Sequence, residues 1–306
     1  MNKVTCIWDA KAQLGEGAVW HKAEQALYWV DIINSKLHCY KPENQGSGVK
    51  ETWDFENNIS SVVPCSEGGL LATFRYGLAH IDLSNKQITP ISELEKDLPD
   101  NRFNDGCADT RGNYWFGSMD DNQVKSSGAF YRFNANNNAT NQTEKLAQLG
   151  DICITNGPTF SQDGQWLYFT DTMASKIFKA SLKGDGSIGE QKLHIHFSEE
   201  QGHPDGMCTD TEGYLWVCHW GGARVSRFDP RGNLVSEINL PVPNITKCCF
   251  GGPTLNTLYI TTASAGLSDA ELQKTPLAGG LFSVEVEQQG FVYPNVSMST
   301  TESHKE

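Results

Sequence analysis

The sequence has no long hydrophobic run and no excess of positive charge, and each absence excludes a class of protein. No apolar stretch approaches the roughly 18 residues of a membrane-spanning helix. The 306 residues include 24 Lys and Arg against 37 Asp and Glu, which gives a formal net charge of −13. Nucleic acids and anionic membrane surfaces are bound by clustered Lys and Arg. We therefore expect the protein to bind neither a nucleic acid nor a membrane.

Paired-cysteine motifs are also absent, although the sequence contains nine cysteines. No CxxC pair occurs, which argues against a zinc ribbon and a thioredoxin-like site. The N-terminal sequence lacks the apolar stretch of a secretory signal, so we expect reduced thiols in a cytoplasmic protein. The G-x-S-x-G elbow, the H-E-x-x-H pair and the P-loop are missing, which argues against the hydrolases and nucleotide-binding proteins that need them.

What the sequence does contain is a repeat. Six short aromatic and β-branched runs, here called the marker runs, start 43 to 52 residues apart. They begin at Leu27, Leu70, Tyr114, Trp166, Tyr214 and Thr257. A second strand-like run follows each marker run, and turn sequences containing Asp and Gly precede several of them. Short runs joined by such turns are typical of β-hairpins.

Repeated four-stranded units at this spacing predict an all-β protein, a six-bladed β-propeller with antiparallel blades. One unit cannot bury both faces of its sheet, so neighbouring blades must pack in a ring. We predict one domain over residues 1–306, in which the first 12 or so residues supply a strand that closes the last blade and residues 293–306 form a tail. Two β-sandwiches of roughly 150 residues each are the alternative, although sandwiches need no uniform repeat. Short helices are predicted at residues 92–97 and 268–274.

Four segments in which a polar residue lies next to or near a glycine precede marker runs at matched distances. Glu16, Asn104, Asn156 and Asp205 lie nine to eleven residues ahead of the marker run of their unit. Equivalent positions in different blades occupy equivalent places around a ring. We therefore expect these side chains to converge on the central channel of the propeller.

Glu16, Asn156 and Asp205 together offer two carboxylates and an amide carbonyl. An all-oxygen ligand set suits a hard divalent cation such as Ca²⁺, Mg²⁺ or Mn²⁺ better than structural zinc. Fe²⁺ and Zn²⁺ stay open as well, because oxygen ligands discriminate weakly among these ions when waters complete the shell. The alternative is that these are ordinary turn residues, since Asn-Gly and Asp-Gly are common turn dipeptides. The matched distances favour a single site for one divalent cation.

Five motifs, in this order along the chain, resemble the SMP-30/gluconolactonase family, to which regucalcin and bacterial sugar lactonases belong. They are Leu14-Gly-Glu16-Gly-Ala-Val-Trp20, Arg102-Phe-Asn104-Asp-Gly106, Asn156-Gly-Pro158, Pro204-Asp205-Gly-Met-Cys208 and Lys247-Cys-Cys-Phe-Gly-Gly252. The resemblance runs from residue 14 to about residue 282 and implies a six-bladed propeller with one divalent metal ion in its channel. The metal ligands of the family fall on Glu16, Asn156 and Asp205, and its substrate-binding residues on Arg102, Asn104 and Asp121.

The resemblance also implies a reaction, the hydrolysis of a sugar aldonolactone to the sugar acid. The metal ion would polarise the lactone carbonyl, while Asp205 would accept a proton from the attacking water. Arg102 and Asn104 would position the sugar hydroxyls, and the role of His203 stays open. The expected partner is the small-molecule sugar lactone, with no obligate protein partner. A non-catalytic metal-binding or protein-interaction propeller, or a metal-dependent hydrolase of other esters, is the alternative function.

Overall fold

The computed structural model describes residues 3–43, 47–134 and 142–298. The strands in these ranges form six antiparallel sheets of four strands each. The first strand of each sheet contacts the first strands of the two neighbouring sheets, which closes a ring around a central channel. The chain is therefore a six-bladed β-propeller, as the repeat predicts.

The first three blades follow a short N-terminal strand, β1 (Thr5–Trp8). Blade 1 comprises β2 (Gly15–His21), β3 (Ala26–Asp31), β4 (Lys36–Lys41) and β5 (Val49–Asp54). Blade 2 comprises β6 (Ile59–Pro64), β7 (Leu70–Phe74), β8 (Gly77–Asp82) and β9 (Gln87–Glu93). Blade 3 comprises β10 (Asn101–Ala108), β11 (Tyr114–Asp120), β12 (Phe130–Asn134) and β13 (Gln142–Lys145). Each marker run forms the second strand of its blade.

The other three blades repeat this order. Blade 4 comprises β14 (Thr155–Phe160), β15 (Trp166–Asp171), β16 (Lys176–Leu182) and β17 (Ile188–His196). Blade 5 comprises β18 (His203–Thr209), β19 (Leu215–Trp220), β20 (Arg224–Phe228) and β21 (Leu234–Asn239). Blade 6 comprises β22 (Asn244–Gly251), β23 (Thr257–Ala263), β24 (Leu281–Glu285) and β1.

The ring closes through the N-terminal strand. Strand β1 pairs antiparallel with β24, with Thr5 opposite Ser283, so the first residues complete the last blade as predicted. The predicted tail begins at Tyr293, whose hydroxyl donates to the carbonyl oxygen of Phe160 at 2.7 Å. Residues 299–306 of that tail lie outside the described residues.

Aspartates in two of the hairpin turns hold the start of the marker run that follows. The Asp109 carboxylate accepts the backbone N–H groups of Arg111 and Asn113 and the indole N–H of Trp115. Asp210 makes the equivalent bonds in blade 5, where its indole donor is Trp216. One carboxylate thus closes the turn and fixes the aromatic side chain of the strand that follows.

Of the two predicted helices, one is present and one is wrong. Helix α1 (Asp269–Lys274) begins after Ser268, which forms a capping box with Glu271. Residues 92–97 form no helix, because their first two residues end β9 and Glu95 has a positive φ of 58°. The Glu95 carboxylate accepts hydrogen bonds from Ser118 and Tyr131 of blade 3, and these contacts outweigh local helix propensity.

The hydrophobic core lies between neighbouring blades. The interface of blades 5 and 6 is typical, since Trp216, Cys218 and Val225 pack in one cluster with Ile245 and Phe250. The cysteines in the described ranges are all free thiols. None of the helices in the described part of the chain is long and apolar enough for a membrane span.

Candidate functional site

β-bulges in the first strands place the predicted site residues. The strand pairing shifts register directly after Glu16, Asn156 and Pro204, and again between Phe103 and Gly106. A bulge turns a side chain away from the regular alternation of a strand. Two of the bulges require glycine, since Gly17 and Gly157 have φ values of 62° and 72°. The repeated glycines in the sequence are therefore part of the local geometry of the site.

Glu16 and Asp205 are buried carboxylates that interact with each other across the channel. They are only 3% and 4% exposed, and each accepts one backbone N–H, from Gly17 at 3.2 Å and from Gly206 at 2.9 Å. Burial, together with the nearby charge of Asp105, raises the pKa of Glu16 to about 8. Burial and the charges of Glu16 and Asp105 raise the pKa of Asp205 as well.

The side chain of Asn156 is held between two partners. Its Nδ2 donates to Thr172 Oγ1 at 2.9 Å, and its Oδ1 accepts a hydrogen bond from Asn104 Nδ2 at 3.0 Å. Thr172 Oγ1 donates in turn to the carbonyl oxygen of Pro204, the residue before Asp205. The amide orientation is therefore defined by its donors and acceptors, and Oδ1 keeps a second lone pair for a ligand.

Arg102, Asn104 and Asp121, the predicted substrate-binding residues, form one hydrogen-bonded chain with Asn156. Arg102 Nη1 donates to Asn104 Oδ1 at 2.7 Å, while its Nε donates to Asp121 Oδ1 at 2.8 Å. Arg75 binds the other carboxylate oxygen of Asp121 at 3.3 Å. No acceptor among the described residues contacts Arg102 Nη2, so this group can donate to a bound molecule.

Asp105 and Lys247 also belong to the site, although the sequence predicts no role for either residue. Lys247 Nζ lies 2.6 Å from Asp105 Oδ2, and both side chains are almost fully buried. Burial alone would lower the pKa of Lys247, but the carboxylates of Asp105 and Glu16 raise it, so the ammonium stays charged. A signal was present, because Lys247 precedes the marker run at Thr257 by ten residues, the same distance as Asn104 and Asn156 from theirs.

His203 lies apart from these residues. It is the first residue of β18 and is exposed, and its Nδ1 is 3.3 Å from Ser175 Oγ. The structure gives it no hydrogen bond to the buried carboxylates among the described residues.

The donor set fits a divalent cation. Glu16 Oε1 and Asp205 Oδ2 bind no donor among the described residues, and their mutual repulsion would be relieved by a positive ion between them. No cluster of three or more His, Cys, Asp or Glu side chains in the described ranges could hold a metal ion without other ligands. The carbonyl oxygen of Asn156, the third ligand predicted from the sequence, is a hard oxygen donor like the carboxylates.

Comparison with known proteins decides the family. The sequence model of the protein family described as the SMP-30/gluconolactonase/LRE-like region matches residues 14–264 of this chain. The chain belongs to this family. The similarity to its relatives extends over almost the whole length of the chain. The predicted family and the predicted fold are both confirmed.

Relatives and solved structures with lactonase or regucalcin names cover nearly the whole chain. A 6-deoxy-6-sulfogluconolactonase of Pseudomonas putida is 31% identical, over 94% of this chain and 97% of its own. An L-arabinolactonase of Azospirillum brasilense is 33% identical, over 94% of this chain and 93% of its own. The crystal structure of regucalcin from Agrobacterium tumefaciens, described as a calcium-binding protein, superimposes with a TM-score of 0.88 at 28% identity, over 96% of this chain and 97% of that one.

Proposed function

We propose that the protein hydrolyses a sugar aldonolactone to the corresponding sugar acid with the help of one divalent cation. The observation that carries this proposal is the pair of buried, electrostatically interacting carboxylates, Glu16 and Asp205, together with the buried amide of Asn156, all three on the inner strands of a propeller. The names of its relatives, a sulfogluconolactonase and an arabinolactonase, support a sugar lactone as the substrate class.

Glu16, Asn156 and Asp205 would hold the cation. A divalent ion at this place supplies Lewis-acid polarisation of the lactone carbonyl. The buried carboxylates bring the negative charge that an all-oxygen site needs, and waters would fill the coordination positions that the protein leaves open. Calcium is one candidate ion, since the regucalcin with a similar structure is described as calcium-binding.

Asp205 accepts the proton of the attacking water in this proposal. Its Oδ1 accepts the N–H of Gly206 and keeps a second lone pair for the proton, while Oδ2 would bind the cation. Positioning of the base by a backbone bond matches what general-base catalysis requires. The water oxygen forms the new bond to the carbonyl carbon as the bond to the ring oxygen breaks, and Asp205 passes its proton to that ring oxygen. The products are a free hydroxyl and a carboxylic acid, which then ionises by releasing its remaining proton to solvent.

Arg102 and Asn104 bind the sugar. Arg102 is buried, carries the unused donor Nη2, and is held in place by Asp121. Both N–H groups of Asn104 donate within the protein, to the carbonyl oxygen of Thr155 and to Asn156 Oδ1. Its own Oδ1 accepts from Arg102 and keeps a second lone pair for a ligand. A charged donor and an amide acceptor of this kind bind the hydroxyl groups of a polyol. Asp121 stays a predicted substrate contact, and both of its oxygens are also bound by arginines.

Acid release from a panel of pentono- and hexonolactones, with and without added Ca²⁺, Mg²⁺, Mn²⁺ and Zn²⁺, tests the proposal. We expect turnover of at least one lactone that a chelator abolishes and a divalent cation restores. Asp205→Asn should remove this activity, whereas the matched surface variant Asp54→Asn, on the exposed strand β5, should retain it. Tight cation binding without lactone turnover would favour a binding protein instead, and turnover of phosphotriesters alone would favour another esterase.

A further inference from the structure

The buried ion pair between Lys247 and Asp105 crosses the central channel. Asp105 lies on β10 of blade 3 and Lys247 on β22 of blade 6, and these blades are opposite each other in a ring of six. The distance between Nζ and Oδ2 is 2.6 Å, with side-chain exposures of 6% and 0%. Lys247 therefore carries a positive charge into the centre of a strongly acidic site.

Asp105 differs from the other two carboxylates in how it is bound. Its Oδ1 accepts the N–H of Gly106 at 2.7 Å, and its Oδ2 accepts both the N–H of Gly157 at 3.0 Å and the ammonium of Lys247. Glu16 and Asp205 each accept a single backbone N–H. Both oxygens of Asp105 are thus bound by donors of the protein, while Glu16 and Asp205 each keep an oxygen without a donor among the described residues.

The charges of the site balance for one divalent ion. Glu16, Asp105 and Asp205 interact electrostatically with one another and with Lys247. Three carboxylates and one ammonium leave two negative charges in this group. Asp121 lies outside it and is shared by Arg102 and the partly exposed Arg75. A buried site is stable when its charges are compensated. Without Lys247, a third carboxylate would be free to attract a further cation.

We propose that the Lys247 ammonium acts as an internal cation that neutralises Asp105. It thereby restricts the site to a single divalent ion, which is bound through Glu16 and Asp205. Lys247 is a positioning and specificity-determining residue in this scheme and touches no substrate. The inference rests on the proposed metal-dependent function, and it adds that the number and affinity of bound ions depend on this lysine.

A double-mutant cycle on ion binding tests this inference. Apo-protein is prepared with a chelator, and Mn²⁺ alone is then titrated by calorimetry and equilibrium dialysis, without substrate. We expect one ion per wild-type chain. Lys247→Met should bind Mn²⁺ at least about tenfold more tightly or take up a second ion. Asp105→Asn should bind Mn²⁺ at least about tenfold more weakly, because the Lys247 ammonium is then left unpaired beside the ion. The double variant should return to within about threefold of wild type.

Two comparisons keep the test decisive. Lys247→Met leaves a buried carboxylate unpaired and could fail to fold for that reason. In that case the double variant must still bind Mn²⁺ at least about threefold more tightly than Asp105→Asn. Lys36→Met is the matched control, because Lys36 and Asp54 form an exposed pair at 2.7 Å, and its ion binding should equal that of wild type. Equal stoichiometry and affinity for wild type and Lys247→Met would overturn the inference, whereas absence of Mn²⁺ binding by wild type would overturn the proposed metal site itself.

Discussion

Thr172 fixes the side-chain amide of Asn156 by accepting its Nδ2–H at 2.9 Å, and the same hydroxyl donates to the carbonyl oxygen of Pro204 at 3.0 Å. One hydroxyl thus connects blades 4 and 5 next to two of the proposed metal ligands. Because the amide nitrogen is held by Thr172, the carbonyl oxygen of Asn156 is the atom left for a cation.

Thr172→Val should weaken binding of the divalent cation by about threefold to tenfold, the size expected for one lost hydrogen bond. The amide of Asn156 would then be held only by the hydrogen bond from Asn104 to its Oδ1. Thr172→Ser keeps the hydroxyl and should restore the affinity measured by titration. The control is Thr170→Val on the preceding strand, since Thr170 is buried and its Oγ1 has no hydrogen-bond partner among the described residues. Equal affinities for Thr172→Val and wild type would contradict this role.

Glu16→Gln should remove the stabilisation of the fold by divalent cations. A ligand that binds only the native state raises its stability by about 2.7 kcal/mol at 100 times its dissociation constant. The wild-type melting temperature should therefore rise by several degrees when Ca²⁺ or Mn²⁺ is added. Thermal melts of Glu16→Gln with and without the ion should coincide, and a rise equal to that of wild type would exclude Glu16 as a ligand.

Arg102→Met should raise the KM for the lactone by about tenfold or more, as expected for a lost hydrogen bond to a charged donor. The kcat should fall less, because the arginine binds the sugar and not the reacting atoms. Steady-state kinetics at saturating cation separates the two constants. Arg231→Met is the control, since that side chain is 84% exposed. A kcat effect with unchanged KM would place Arg102 elsewhere in the mechanism.

Two buried histidines should make the fold less stable at acid pH. Burial lowers the pKa of His38 and of His219 from 6.5 to about 4, and one ring nitrogen of each has no partner among the described residues. Between these values the unfolded chain binds more protons than the native one. Stability contributed by the neutral rings is therefore complete above pH 6.5 and is lost as the pH falls toward 4.

Urea unfolding at about pH 7 and about pH 5 measures this effect. The wild-type free energy of unfolding should fall more steeply with acid than that of His38→Gln, by up to about 1.4 kcal/mol per pH unit. The comparison between variants cancels the contribution of the carboxylates. Parallel pH dependences for the two proteins would show that His38 titrates in the native state as it does when unfolded.

The blades and their inner residues could be predicted from sequence because their signals are local. Tyr114 and Tyr214 begin marker runs whose aromatic pattern and preceding Asp-Gly turns specify hairpins within a few residues. The helix predicted at residues 92–97 is absent for the opposite reason, since Glu95 is held by Ser118 and Tyr131 of the next blade. Local propensity does not report such contacts.

The sequence by itself determined the repeat, the ring of six blades and the level of the channel at which Glu16, Asn156 and Asp205 lie, because equal spacing in a closed ring brings equivalent positions together. Only the tertiary structure decided which charged groups meet there. Asp105 and Lys247 are 142 residues apart in the chain and pair because blades 3 and 6 are opposite. The spacing along the chain sets the height of each residue in the channel. Which charges pair depends on the length and orientation of the side chains that extend across the channel.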